Sequence, residues 1–223
     1  MKKGIRLGYA CINMSLPDTR ARKCVLKNAT REKLEELTYL NLKNLLKILE
    51  YNIEKKIYLF RISSEIIPFA SHPVNKTDWR KLFKTELASI KKTVAKNNLR
   101  VSMHPGQYTV LNSPNLKVVE NSISELEYHS AFLNSITDSF QHRIILHIGG
   151  IYGSKSLAIN RFIQNFGLLS PACRKRLTIE NDEKCYDIFD ALQMSGKLKI
   201  PVVFDNLHHR INCSNKNVYS DRE

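Results

Sequence analysis

The sequence has few cysteines, no long apolar run and a deficit of acidic charge. Its five cysteines are scattered, odd in number and form no CxxC pair. This argues against a disulfide framework or a zinc ribbon and fits a reducing, cytoplasmic compartment. The opening Met1-Lys2-Lys3 leads to Gly8 rather than to an apolar signal core, and no stretch is long enough to span a bilayer. We therefore expect a cytoplasmic protein with no membrane partner.

Basic residues outnumber acidic ones, with 35 Lys and Arg against 21 Asp and Glu, a formal net charge of +14. Such an excess favours a polyanionic partner, because neutralising phosphates releases their counterions. The 223 residues, 43% of them hydrophobic, can form one sizeable core. We find no sequence repeat, low-complexity tract or linker, and so predict a single domain over residues 1–223.

Short apolar runs alternate along the chain with longer amphipathic segments. Most runs are continuously apolar, which is typical of strands buried on both faces of a parallel sheet. The segment from Trp79 to Val94 has helical spacing, with Asp78 as its predicted N-cap. The alternation predicts an α/β fold with right-handed crossovers. The six predicted strands are Ile5–Tyr9, Ile57–Ile62, Leu99–Met103, Arg143–Leu146, Leu177–Ile179 and Val202–Phe204.

An open doubly wound sheet and a closed barrel both satisfy this alternation. No GxGxxG follows the first predicted strand, so a dinucleotide fold and a nucleotide cofactor are not expected. The later strands all end in polar groups, which favours a TIM-type (β/α) barrel, where the C-terminal ends of all strands converge. Such a barrel has about eight strands. We count about six strand–helix units before the polar segment Ile211–Glu223, and so expect a barrel truncated at its C-terminal part.

The polar residues at the strand ends have the chemistry of metal ligands. His104 and His147 each follow an apolar strand, Glu180 ends the next one, and Asp205 and His208 follow the sixth. Two imidazoles and a carboxylate suit Zn²⁺ or Mn²⁺, and the further ligands suggest more than one ion. One such residue alone would more often be structural, for instance a helix N-cap, but five on four strand ends predict a metal site.

Metal ions held in this way indicate a reaction class. Closely spaced ions polarise a phosphoryl group and lower the pKa of a bound water. With the positive charge of the chain, this predicts phosphodiester hydrolysis. Binding of an anionic metabolite at the same strand ends is the alternative.

Six ordered segments around these residues are specific enough to indicate a family. On them the chain resembles the UV damage endonucleases, which are similar to endonuclease IV. The resemblance implies a TIM-barrel DNA-repair nuclease that nicks DNA 5′ to UV photoproducts without ATP. It implies divalent metal cofactors, with Mn²⁺ favoured and Zn²⁺ or Mg²⁺ as alternatives. The segments are GYACINMS at Gly8–Ser15, FRISSEIIPFASHP at Phe60–Pro73, SMHPGQYTVLNSP at Ser102–Pro114, LHIGGIYGSK at Leu146–Lys155, TIENDEK at Thr178–Lys184 and PVVFDNLHH at Pro201–His209.

The resemblance assigns metal-binding roles residue by residue. His104, His147 and Glu180 match a first metal site. Glu180 and Asp205 match part of a second and would be catalytic, and His208 matches part of a third. Family members continue with two further strands that supply more ligands.

The resemblance also implies residues that contact the substrate, which would be double-stranded DNA carrying UV lesions. His72 matches a catalytic histidine close to the metals. Gln107 and Tyr108 match the pair that probes the damaged duplex, and Tyr9 and Asn13 match residues of the lesion pocket.

Two other functions stay open from the sequence. A sugar isomerase or epimerase on a related barrel would use the same ligand types, but it leaves the charge of +14 and Gln107-Tyr108 unexplained. A non-catalytic remnant would bind damaged DNA without cutting it.

Overall fold

A computed structural model describes residues 5–213 of the chain. Strands and helices alternate through the described residues, and short 3₁₀ turns lie at Pro17–Thr19, Leu26–Asn28 and Ser64–Ile66. The strands are β1 (Gly8–Ala10), β2 (Leu59–Ile62), β3 (Arg100–Met103), β4 (Ile144–His147), β5 (Leu177–Glu180) and β6 (Val202–Val203). The helices are α1 (Arg31–Glu54), α2 (Trp79–Leu82), α3 (Lys84–Lys96), α4 (Leu116–Ile136), α5 (Lys155–Phe166), α6 (Pro171–Arg176), α7 (Ile188–Leu198) and α8 (Asn206–Ile211).

The six strands form one sheet in chain order, from β1 to β6. The pairs β1–β2, β2–β3, β3–β4 and β5–β6 are parallel, with Leu59 opposite Arg100 in the second pair and Ile179 opposite Val202 in the last. Over the described residues the strand order never reverses, as it would at the switch point of a doubly wound sheet. The order is that of a TIM-type barrel and confirms the predicted α/β fold.

All six predicted strands are present, but their ends are shifted. The first begins at Gly8 rather than Ile5, and the side chains of Ile5 and Leu7 are exposed. The fourth and fifth extend further than predicted, so that His147 and Glu180 are the last residues of β4 and β5. Two predicted ligands are therefore held by strand hydrogen bonding rather than by loops.

The chain divides into two compact units. Unit 1 comprises the described residues up to Gly106 together with Glu127–Ile144. Unit 2 comprises Gln107–Leu126 and the described residues from Ile145 onward.

Unit 1 has its core between α1, α3 and strands β2 and β3. Thr30 caps α1 by accepting a hydrogen bond from the Lys33 backbone N–H. The helix predicted from Trp79 onward is interrupted at Phe83, whose φ of −105° and ψ of 31° separate α2 from α3, while Asp78 caps α2 as predicted. The buried apolar side chains include Leu34, Leu42, Leu45, Leu49, Phe60, Ile62, Leu87, Ile90, Val101 and Met103.

In unit 2, α7 packs against β5 and β6. Ser154 caps α5, and Asp187 and Asp190 form a capping box at the start of α7. Its buried apolar side chains include Leu146, Phe162, Phe166, Leu177, Ile179, Tyr186 and Met194. Among residues 5–213, no helix is both long enough and apolar enough to cross a membrane.

Candidate metal centre and the loops around it

Three of the predicted ligands come together in the structure. One ligand atom from each of His104, His147 and Glu180 lies within 4.8 Å of the other two. His104 directly follows β3, and the other two end β4 and β5. Because adjacent parallel strands end at the same edge of a sheet, the strand order accounts for this grouping. The group could hold a metal ion.

Glu180 is the buried member of this group, with 3% of its surface exposed. Its Oε2 lies 3.3 Å from Nε2 of His147. A buried carboxylate is costly unless hydrogen bonds, an ion pair or a metal compensates its charge. A carboxylate oxygen beside two imidazole nitrogens is a set of ligands that can bind Zn²⁺ or Mn²⁺.

Two histidines have ring hydrogen bonds that suit metal ligation. Nδ1 of His104 lies 2.8 Å from the carbonyl oxygen of Pro105, and Nδ1 of His208 lies 2.9 Å from that of Asn181. A carbonyl oxygen only accepts hydrogen bonds, so in both rings Nδ1 carries the proton. In the neutral ring Nε2 then keeps its lone pair, which is how a carbonyl partner prepares an imidazole for a metal.

Asp205 and His208 lie in unit 2 near His147 but outside the group of three. The rings of His147 and His208 have centroids 5.4 Å apart. Asp205 is the N-cap of α8, where its Oδ1 accepts a hydrogen bond of 2.8 Å from the His208 backbone N–H. One of its oxygens therefore has a structural task, and its role as a ligand stays a prediction, as does that of His208.

Glu183 was missed in the sequence analysis, although it lies in the TIENDEK segment. Its Oε2 is 3.7 Å from Nε2 of His208. The hydrogen bond from its own backbone N–H, together with the nearby His208 and Lys184, holds the pKa of the Glu183 carboxyl below its usual range. The sequence signal for Glu183 was its position three residues after Glu180. The direction in which its side chain points depends on the turn between the two residues.

Gln107 and Tyr108 lie in a turn after β3, in unit 2, and both are exposed. The side chain of Tyr108 is 83% exposed. The chain beyond them is anchored, since Val110 N–H donates to Ser122 Oγ over 2.9 Å. The turn therefore exposes the Gln107 amide and the Tyr108 ring to solvent, while the hydrogen bond at Val110 holds the chain that follows in place.

Asn112, which follows this turn in the chain, connects it to the loops that contain Gly150 and Tyr186. This buried side chain donates from Nδ2 to the carbonyl of Gly150 over 2.7 Å and contacts the hydroxyl of Tyr186 at 3.4 Å. The Tyr186 hydroxyl also donates to the Gly150 carbonyl over 3.2 Å. Burial raises the pKa of Tyr186 to about 12. We call these three residues the Asn112 cluster; it connects the loops that follow β3, β4 and β5.

Tyr9 and Asn13, the predicted pocket residues, lie in unit 1 and are bonded to each other. The Asn13 side-chain amide donates to the Tyr9 hydroxyl, and that hydroxyl donates to Oδ1 of Asn52, both over 2.7 Å. Burial raises the pKa of Tyr9. Asn13 is itself buried, so the amide has a structural task and the tyrosine ring is the part that a ligand could contact.

His72, the predicted catalytic histidine, is exposed on a unit 1 loop. Its Nδ1 accepts a hydrogen bond of 3.1 Å from the Val74 backbone N–H, so Nε2 carries the proton of the neutral ring. The ring contacts that of Phe69 edge-on, with centroids 5.7 Å apart.

Strand order and the ligand group together define a β/α-barrel protein with a candidate metal centre at its carboxyl strand ends. A 3-keto-D-glucoside 4-epimerase from E. coli shares this fold with a TM-score of 0.51 and 14% identity, over 78% of this chain and 67% of that one. The chain belongs to the UV-endonuclease UvdE family, which it matches over residues 5–222. This confirms the family indicated by the six sequence segments.

Similar proteins support the same assignment. The UV DNA damage endonuclease of Clostridium perfringens (strain 13 / Type A) is 47% identical over 219 residues, which are 98% of this chain and 53% of that protein. The crystal structure of SacUVDE matches with a TM-score of 0.91 and 40% identity, over 96% of this chain and 74% of that one. The chain thus spans about half the length of the Clostridium relative.

Proposed function

We propose that this chain is a DNA-repair endonuclease that nicks the phosphodiester bond on the 5′ side of UV photoproducts in double-stranded DNA. The observation that carries the proposal is the grouping of His104, His147 and Glu180 within 4.8 Å in a chain of the UvdE family. The net charge of +14 suits a phosphate backbone as partner.

The metals of this proposal are divalent ions, Mn²⁺ first and Zn²⁺ or Mg²⁺ as alternatives. His104, His147 and Glu180 would hold one ion, and Asp205 and His208 would contribute to neighbouring ones. Bound there, such ions supply Lewis-acid polarisation of a phosphoryl oxygen. Glu180 has two carboxylate oxygens and can bridge two ions.

Residues of the chain itself would position the substrate. His72 carries its neutral-ring proton on Nε2, because Nδ1 accepts from Val74, and can donate a hydrogen bond to a phosphate oxygen. Gln107 and Tyr108 are exposed and would fill the gap left by distorted bases. The ring of Tyr9, held in place by Asn13 and Asn52, would line the lesion pocket.

The test uses the full chain and a duplex that contains a single cyclobutane dimer, at fixed salt with saturating Mn²⁺. We expect one nick on the 5′ side of the dimer. Glu180→Gln should lose most tightly bound metal by elemental analysis, and its nicking should fall by about 100-fold or more. Glu65→Gln is the matched control, because this exposed carboxylate of unit 1 pairs only with Lys23 at 3.2 Å among the described ion pairs.

Three results would contradict parts of the proposal. Unchanged metal content in Glu180→Gln would refute the ligand assignment. Damage-specific binding without cutting under Mn²⁺, Zn²⁺ and Mg²⁺ would indicate a non-catalytic DNA-binding protein. Turnover of a small sugar with no affinity for DNA would indicate an isomerase.

A further inference from the structure

Tyr152 lies in the loop between β4 and α5 with an unfavourable backbone conformation. Its φ is +52°, in the left-handed region that costs free energy for a residue with a bulky side chain. The flanking Gly149 and Gly153 also have positive φ, at 110° and 83°. A glycine at this position would be unstrained. Burial of the ring does not explain why a tyrosine is there instead, because Tyr152 is 46% exposed.

The ring of Tyr152 is nevertheless held in a fixed orientation. It lies against Gly150, where an added Cβ would approach ring atom Cζ to 3.1 Å. The guanidinium of Arg161, from α5, lies 5.7 Å from the ring centroid. Within the described residues, Nη2 of Arg161 is buried without a hydrogen-bond partner, and the cation–π contact with Tyr152 offsets part of that cost.

Both supports of this ring are tied to Asn112. The Asn112 carbonyl accepts a hydrogen bond of 2.8 Å from Nε of Arg161, and its side chain donates to the carbonyl of Gly150 over 2.7 Å. Asn112 lies only four residues after Tyr108 in unit 2. Asn112 therefore contacts both residues that hold the Tyr152 ring, and it also lies in the segment that follows the Tyr108 turn.

We propose that Tyr152 is a second DNA contact, an aromatic platform on which a nucleotide of the bound DNA stacks. The inference rests on the proposed function and extends it. A pre-oriented ring loses little conformational entropy on binding, and it can stack on any base because every base has a π-face. Tyr152 is five residues beyond the candidate ligand His147, on the loop that leaves the same strand. The contact is independent of sequence and of damage, whereas Tyr108 distinguishes damaged from intact duplex.

The experiment measures binding of the full chain to a fluorescein-labelled duplex, irradiated or not, in EDTA and at fixed salt. Tyr152→Leu should weaken binding to both duplexes by about 5- to 150-fold, the loss expected for one stacked base. Tyr152→Phe keeps the ring and should bind as the wild type does. Tyr39→Leu is the matched control, because Tyr39 is 43% exposed on α1 of unit 1.

A second variant distinguishes a DNA-binding role of the Tyr152 ring from a purely structural role. Tyr152→Gly relieves the positive φ, so its thermal midpoint should stay near that of the wild type while affinity falls as in Tyr152→Leu. The slope of log Kd against log salt should not change, because no charge is removed. Tyr108→Ala should lower the preference for irradiated duplex, and Tyr152→Leu should leave that preference unchanged.

Two outcomes would overturn the inference in distinguishable ways. Wild-type affinity in Tyr152→Leu and Tyr152→Gly, with the wild type binding duplex, would refute the platform alone. A wild-type chain with no measurable affinity for either duplex would refute the proposed function and the platform together.

Discussion

Asn41 in unit 1 and Asn112 in unit 2 are both buried asparagines that connect loops, but their hydrogen bonding differs. Asn41 Oδ1 accepts from the Arg22 backbone N–H over 2.7 Å, and its Nδ2 donates to the carbonyls of Arg22 and Ile66 over 3.0 and 3.2 Å. Asn112 donates from Nδ2 to Gly150. Its Oδ1, however, is buried without a hydrogen-bond partner among the described residues.

This difference separates a residue that stabilises the fold from one that connects the loops following β3, β4 and β5. A buried polar group with all its hydrogen bonds made adds stability, whereas a buried group left unpaired costs about 1–3 kcal/mol. Asn112 keeps an unpaired oxygen and lies against Gly149, where any Cβ would overlap that oxygen. Unfavourable local arrangements of this kind persist where the surrounding structure holds them in place, and they cluster at functional sites.

The sharpest test of the comparison is to truncate both side chains. Asn41→Ala should lower the free energy of unfolding by about 3 kcal/mol, because it leaves backbone groups of two loops unpaired. Asn112→Ala should cost only about 1 kcal/mol, because the Gly150 carbonyl still accepts from Tyr186 and an unpaired oxygen is removed. Urea unfolding measures both, and Asn160→Ala, at an exposed position on α5, is the control. Equal losses of unfolding free energy in Asn41→Ala and Asn112→Ala would show that the two asparagines do not differ in this way.

A smaller effect is expected at the glycine that faces Asn112. Gly149→Ala should cost about 2 kcal/mol, since it combines a positive φ with overlap on Asn112 Oδ1. Gly153→Ala has the positive φ but open space around it, and should cost about 1 kcal/mol. In an Asn112→Ala background the two glycine substitutions should become similar in cost. Strict additivity of Gly149→Ala and Asn112→Ala in urea unfolding would show that the overlap is unimportant.

Apolar periodicity and strand-end chemistry predicted the fold and the proximity of His104, His147 and Glu180. Buried parallel strands are continuously apolar, so six of them could be counted, and polar residues such as His104 and Glu180 marked where they end. The interruption at Phe83 could not be predicted, because this buried residue continues the apolar spacing of the helix. Strand ends shifted because they depend on the hydrogen bonds of the neighbouring strand.

Contacts over long sequence separations were beyond the sequence. Asn112 meets Gly150 and Tyr186 across 38 and 74 residues, and nothing in the local pattern links those positions. The strained φ of Tyr152 depends on how the loop is held at both ends. Asp205 shows the reverse difficulty, because a residue at a strand end can serve as a metal ligand, as a helix cap or as both. The structure shows the cap, and the ligand role stays a prediction.

The smallest predicted effect concerns the pH dependence that Tyr186 gives to unit 2. Burial raises the pKa of Tyr186 to about 12, while in the unfolded chain it is the ordinary value of about 10. Below pH 10 the hydroxyl is protonated in both states and does not affect the pH dependence. Between pH 10 and 12 the unfolded chain releases this proton and the folded chain does not. Unfolding therefore becomes easier as the pH rises from 10 to 12.

Tyr186→Phe should remove this part of the alkaline instability. The variant loses the hydrogen bond to Gly150 and should be about 1 kcal/mol less stable near neutral pH. Its free energy of unfolding should then fall less steeply than that of the wild type from pH 10 to 12, so that the two curves converge or cross. Tyr39→Phe, at an exposed tyrosine of unit 1, is the control substitution. Urea titrations at a series of pH values compare the three proteins. Parallel curves for Tyr186→Phe and the wild type would show that the buried hydroxyl of the Asn112 cluster ionises as easily as an exposed one.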